Sequence, residues 1–288
     1  MNRTAHPFLQ LLAMLAISFG LVGVFSVLIP VAAAVGIDVS SPGNMLVMQA
    51  ISQLLSFVLP VVLLVWLFHR AEWRGFLRLD FSRGKWLFAL GGLAAWVLMM
   101  PLMDWSGVWN DGWHLPESLR VLEDMLRKIG ELAQAALERL LGGTGVGRLM
   151  SNLLVIALIP ALCEEIFFRA GMQNLMLRWL KNPHVAIWLT AAVFSLFHGE
   201  VFAFVPRFLM GAILGYLYFG SNSLLPNMLA HFLNNATVVV AYWLSARGAI
   251  DVDLEAPLAL PWPVTLGCTV AAVAILCFCC GKNLKISR

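Results

Sequence analysis

From Phe8 to Val35 the chain runs without a charged side chain, and comparable apolar stretches recur along its 288 residues. Inside a bilayer every backbone N–H and C=O must be satisfied by the protein itself, which only helices and closed barrels achieve. The runs are continuous and lack the two-residue alternation of barrel strands, so they predict helices. Composition agrees: 60% of the residues are hydrophobic, 12% are charged and the mean hydropathy is +0.84. Soluble domains carry about a quarter charged residues. The net charge of +3 gives no basis for nucleic-acid binding. The expected fold is all-α, a polytopic membrane helix bundle with about eight transmembrane helices plus one amphipathic surface helix.

The expected spans are 8–35, 45–68, 86–103, 149–168, 185–197, 208–219, 224–244 and 260–280. Arg3 and Ala32-Ala33-Ala34 give the first span a likeness to a secretory signal. Its apolar run exceeds the roughly 7–15 residues of such a segment, so it reads as an uncleaved helix. The fifth and sixth spans are short for a bilayer crossing and suit the interior of the bundle. Gly211 and Gly215 on the sixth allow close helix approach, read here as internal packing. Residues 104–147 form the one long polar connection. It opens with Asp104, Trp105, Trp109, Asp111 and Trp113, suited to a membrane interface. From Pro116 to Leu141 apolar residues recur at helical spacing between charges, an amphipathic helix for the membrane surface or the end of the bundle. The five cysteines lie in or beside apolar segments and give no disulfide framework or zinc knuckle.

Basic residues set the orientation. The loop with Arg70, Arg74, Arg78, Arg83 and Lys85, the loop with Arg178 and Lys181, and the tail with Lys282, Lys285 and Arg288 are placed inside. The acidic loop with Asp251, Asp253 and Glu255 is placed outside. Both termini are then cytoplasmic, and the expected location is a bacterial inner (cytoplasmic) membrane. In domain terms residues 1–288 read as one membrane domain. Within it, 1–103 hold three spans, 104–147 the polar segment, 148–245 a catalytic core and 260–280 the last span.

Three polar sets interrupt the apolar helices. Glu164 and Glu165 are adjacent, with Arg169 four residues after the second. Ionisable groups at membrane depth cost several kcal/mol unless paired or wetted. Glu165 and Arg169 have the favourable acid-first spacing for an ion pair. Glu164 points about 100° away and is left for something else. Such a pair is often purely structural, but a structural pair would leave the second glutamate without a role. His198 closes the fifth span, four residues after Phe194, and Ser195 beside it is not spaced to form a nucleophile–base pair. His231 and Asn235 share one face of the seventh. These residue types suit peptide hydrolysis by an activated water. Glu164 takes the proton as general base with help from His198, and His231 with Asn235 donates to the oxyanion. Two histidines and a glutamate also suit zinc, although no HExxH is present.

The motifs EExxxR (Glu164, Glu165, Arg169), FxxxH (Phe194, His198) and HxxxN (His231, Asn235) resemble, in order and spacing, those of the CPBP intramembrane glutamic endopeptidases. That family includes type II CAAX prenyl endopeptidases and bacteriocin-processing or immunity proteins. The resemblance covers roughly residues 148–245. It implies an eight-helix membrane bundle, catalytic Glu164, His198, His231 and Asn235, supporting Glu165 and Arg169, and no metal. One tension accompanies it: straight helices would put Glu164 and His198 at opposite depths, and a break at Pro160 together with tilted short helices is the expected remedy.

The leading expectation is an intramembrane endopeptidase, with CAAX-type C-terminal processing as one form of it. The alternatives are a non-catalytic immunity or assembly protein, a zinc-dependent membrane protease and a proton-coupled transporter. A transporter would be expected to show repeated halves, and none is visible. Expected partners are a peptide or protein substrate, free or lipidated, and membrane lipid. No cofactor is expected, with zinc the minority alternative. Substrate and oligomeric state are not encoded.

Overall fold

The computed structural model describes residues 5–80, 82, 85–251 and 260–284. Arg3, Arg83, Asp253, Glu255, Lys285 and Arg288 lie outside the described residues, so the charge pattern used for orientation is only partly represented. The described chain is helical, with no strands. We number the helices α1 (Pro7–Ala34), α2 (Pro42–Phe68), α3 (Trp73–Leu77), α4 (Lys85–Asp111), α5 (Arg120–Leu141), α6 (Val146–Leu180), α7 (Pro183–Leu196), α8 (Phe204–Ser221), α9 (Leu225–Ala246) and α10 (Trp262–Leu284). Among the described residues α1, α2, α4, α6, α8 and α10 are long and apolar enough to cross a membrane. The protein is therefore an integral membrane protein of the polytopic all-α class. α7, at 14 residues, falls short of the roughly 20 that a crossing needs. α9 is 22 residues long, but His231, Asn234 and Asn235 dilute its apolar run.

Two helix ends and one internal break differ from expectation. α4 continues through Asp104, Trp105 and Trp109 to Asp111 instead of ending at Met103. Trp105 and Trp109, one turn apart, lie parallel at 6.2 Å, and Trp113 meets Trp109 edge-on at 5.0 Å, so the aromatics extend the helix. α6 runs past Phe168 to Leu180, because the polar residues beyond Phe168 are buried rather than solvated: Arg169 and Gln173 are 0% exposed. Lys181, in the left-handed conformation with its N–H on Leu177 O, stops the helix before Pro183. Pro160 does not break α6. A π turn, Leu153–Leu158, widens the helix just ahead of it. A wider turn accommodates a residue that has no N–H and a bulky ring.

The same device recurs in α2, where the π turn Leu54–Val58 precedes Pro60. Pro60 cannot donate to Ser56 O, four residues back. Ser18 Oγ of α1 donates to that carbonyl instead, at 2.7 Å. At membrane depth the carbonyl must find such a partner.

The chain divides into two compact units, 1–79 with 139–182 and 231–252, and 80–138 with 183–230 and 253–288. In the first, α1, α2 and α6 meet at Gly171, where an added Cβ would lie 2.7 Å from Met14 Sδ and 3.1 Å from Val61 Cγ2. α3 is tied to α6 by Asn174 Nδ2, which donates to Phe76 O at 3.0 Å. In the second, Ala95 and Met99 of α4, Ile213 of α8 and Ala272 and Leu276 of α10 form a core. Gly211 packs 3.1 Å from Ala191 Cα of α7 as measured from a built Cβ, which accords with internal packing for that glycine. The five cysteines are free thiols, Cys277 and Cys280 one turn apart on α10.

α5 is amphipathic and leaves Val121, Met125 and Leu132 exposed. Its first turn is anchored by Glu123, which accepts from Leu115 N at 2.7 Å and from Arg127 Nε at 3.0 Å, and pairs with His114 Nδ1 at 2.9 Å. The Leu115 N–H, then Arg127 and His114, hold its carboxyl down from the usual 4.5 to about 2. A depressed carboxyl contributes stability above the unfolded pKa and loses it as pH falls through the folded one. Acidification from 4.5 toward 2 should therefore release the 112–119 turn, read by Trp113 fluorescence. Glu123→Gln should remove that transition; a transition unchanged in the variant would show that another group drives it.

Candidate active site

The site is built in the first unit around α6. The last turn before its second π turn carries Cys163, Glu164 and Glu165, and the π turn itself, Ile166–Gln173, carries Arg169. Ala157, Ala161 and Ala170 are fully buried. Small residues of this kind let neighbouring helices approach and exclude lipid from the carboxylates.

The ion pair expected from the spacing is present. Arg169 Nε donates to Glu165 Oε2 at 3.0 Å, and both side chains are 0% exposed. The second oxygen, Oε1, lies 3.1 Å from His231 Nδ1 on α9. Glu165 is ionised against Arg169, so it can only accept, and Nδ1 carries the proton of that hydrogen bond. The ring is thereby oriented with Nε2 3.9 Å from Glu164 Oε2, beyond direct hydrogen-bond reach. Glu164 is 7% exposed, and its Oε1 accepts from Gln53 Nε2 of α2 at 3.3 Å. The adjacent glutamates thus have different neighbours. Glu165 is held by Arg169 and His231, and Glu164 by Gln53, with one oxygen facing the imidazole.

Asn235, one turn after His231, is half-buried. Its Oδ1 accepts from Asn234 Nδ2 at 2.8 Å, which leaves its own Nδ2–H group to donate. The structure gathers Glu164, Glu165, Arg169 and His231, with Asn235 on the same helix as His231. His198 belongs to the second unit. It was expected at the end of a span, but α7 stops at Leu196, and His198 sits exposed in the following turn with Nδ1 2.9 Å from Phe194 O. The segment leading into α8 is tethered by Asn110 of α4, fully buried, which donates to Val201 O at 3.2 Å and accepts from Val205 N at 2.8 Å.

Gln53 and Asn110 were missed in the sequence. Each is a lone amide in an apolar helix, and its partner lies about a hundred residues away. The one available signal is a buried amide in an apolar run, which must find a partner. Among the described residues no three His, Cys, Asp or Glu side chains are grouped to hold a metal ion.

A polytopic helical membrane protein with a paired-glutamate site on one helix and HxxxN on another is the class that fold and geometry define. Residues 147–237, about a third of the chain, match the family described as Type II CAAX prenyl endopeptidase Rce1-like. The matched stretch holds all three motifs. No curated protein and no solved structure matches the chain.

Removing the arginine strands a buried carboxylate, a loss of about 3–5 kcal/mol for broken buried pairs. Arg169→Ala should leave little folded protein in membranes, and Arg169→Lys should recover only part of it because lysine lacks the planar fork. Wild-type yield and melting temperature for Arg169→Ala would show that Glu165 does not depend on this partner.

Proposed function

We propose that the protein is an intramembrane endopeptidase that hydrolyses a peptide bond with a glutamate-activated water, and that its substrates are CAAX-type C-terminal peptides. The observation that carries this reading is the division of labour between the two glutamates. Glu165 is consumed by Arg169 and His231, whereas Glu164 keeps an oxygen with no strong donor on it among the contacts described. Such a carboxylate suits a general base. The family match over 147–237 supports that substrate class.

In the proposed reaction Glu164 takes a proton from water as the oxygen attacks the scissile carbonyl. The carbonyl oxygen becomes an oxyanion and accepts from His231 Nε2–H and Asn235 Nδ2–H. Collapse of the intermediate breaks the C–N bond, and Glu164 delivers its proton to the leaving amine. Since Glu165 already takes the Nδ1 proton, donation from Nε2 requires His231 to carry both ring protons. No step requires a metal.

A farnesylated CAAX peptide and its unprenylated counterpart serve as probes. Glu164→Gln should abolish turnover while the protein still folds. Asn235→Ala should lower kcat by about 10²–10³ with little change in KM, because that contact forms in the transition state. Turnover should survive zinc-stripping chelators. One zinc per chain, lost together with activity in His198→Ala or His231→Ala, would overturn the glutamate mechanism in favour of a metalloprotease.

A further inference from the structure

On the first unit an apolar groove of about 360 Å³ lies beside the site helix. Val58, Val61, Val62 and Val65 line it from α2 at i, i+3, i+4 and i+7, one continuous helix face. Carried on to Trp66, that face is about 12 Å long at 1.5 Å per residue. α3 contributes Trp73 and Leu77, and α6 contributes Ile166, the residue that follows Glu165. The groove runs to the end of the α2 span, where the chain leaves its apolar run at Phe68.

The chemistry changes at that end. Arg70 is the one charged residue lining the groove among the described residues, and its guanidinium lies 5.9 Å over the Trp66 ring. Arg74 lies 5.2 Å over Trp73. Both tryptophans are exposed, as befits rings at the headgroup level. From residue 54 to 79 the chain carries Arg70, Arg74 and Arg78 against Glu72 alone. Apart from Trp66, Trp73 and Arg70 the groove is lined by aliphatic side chains, which suit a hydrocarbon chain and do not suit a peptide backbone, whose polar groups would go unsatisfied. The net positive charge at its mouth complements an anionic headgroup.

We propose that this groove binds one acyl chain of an anionic phospholipid, with Arg70 holding the phosphate. The occupant would lie against Ile166 and so brace the helix turn that presents Glu164 and Glu165. The proposal rests on the membrane fold and the groove, and stands whether or not the protein is a peptidase.

The test uses the full-length protein in detergent micelles, with retained lipid counted by native mass spectrometry. Dioleoyl phosphatidylglycerol is compared with dioleoyl phosphatidylcholine. Wild type should retain one phosphatidylglycerol in preference to phosphatidylcholine and melt at a higher temperature with it. Arg70→Gln should weaken that retention by about fivefold, the usual share of one interfacial cation. Val62→Trp, a filling change at a half-exposed position, should abolish it. Lipid-free melting temperatures equal to wild type would show both variants folded, and inorganic phosphate alone should give no stabilisation. Equal retention of the two lipids by wild type would overturn the proposal. So would undiminished retention in either folded variant, stabilisation by phosphate alone, or displacement of phosphatidylglycerol from the groove by a farnesylated peptide.

Discussion

A guanidinium with no exposed surface, in the middle of an apolar helix, has to be neutralised where it stands. Arg169 is neutralised by Glu165 at 3.0 Å, and both side chains are fully buried in the first unit. The pair lets α6 carry charge without ending, and so lets one continuous helix run from Val146 to Leu180. It also fixes Glu165, which then orients His231 through Nδ1. The imidazole can face Glu164 only because its other nitrogen is already taken. Burial, ion pairing and histidine orientation are therefore successive consequences of one contact.

The π turns belong to the same account. A proline in a lipid-embedded helix leaves a carbonyl without its donor, and a bilayer offers no water to replace it. α2 and α6 each place a widened turn before their proline, and in α2 Ser18 supplies the missing donor from outside the helix. The third π turn, Ile166–Gln173, lies directly after the two glutamates. Widened turns are frequent at functional sites, where they re-aim side chains without breaking the helix.

Much of this was legible in the sequence, for a definite reason. Bilayer thickness imposes a length on apolar runs, so each expected apolar run found a helix, and among the described residues six of these helices are long and apolar enough to cross. The acid-first spacing of Glu165 and Arg169 announced their pairing. Helix ends were harder, because they depend on what a polar residue touches. Nothing local shows that Arg169 is already neutralised, so the chain seemed to leave the membrane near Phe168. Trp105 and Trp109 read as interfacial loop residues, yet their stacking prolongs α4. Gln53 beside Glu164 and Asn110 tethering Val201 and Val205 are contacts across roughly a hundred residues, which no helical period can announce. His198 was expected on a helix and lies just beyond one, a shift of two residues that changes it from a helix-face residue to a turn residue.

The central claim is that Glu164 performs chemistry while Glu165 is structural. It is tested most directly by comparing membranes that contain wild-type protein with membranes that contain Glu164→Ala at equal abundance, using mass spectrometry of protein C-termini. The account predicts that a set of shortened C-termini appears with wild type and is absent with Glu164→Ala, although both proteins are folded and membrane-inserted. Identical sets of C-termini in the two membranes would contradict it and leave the glutamates with a structural role alone.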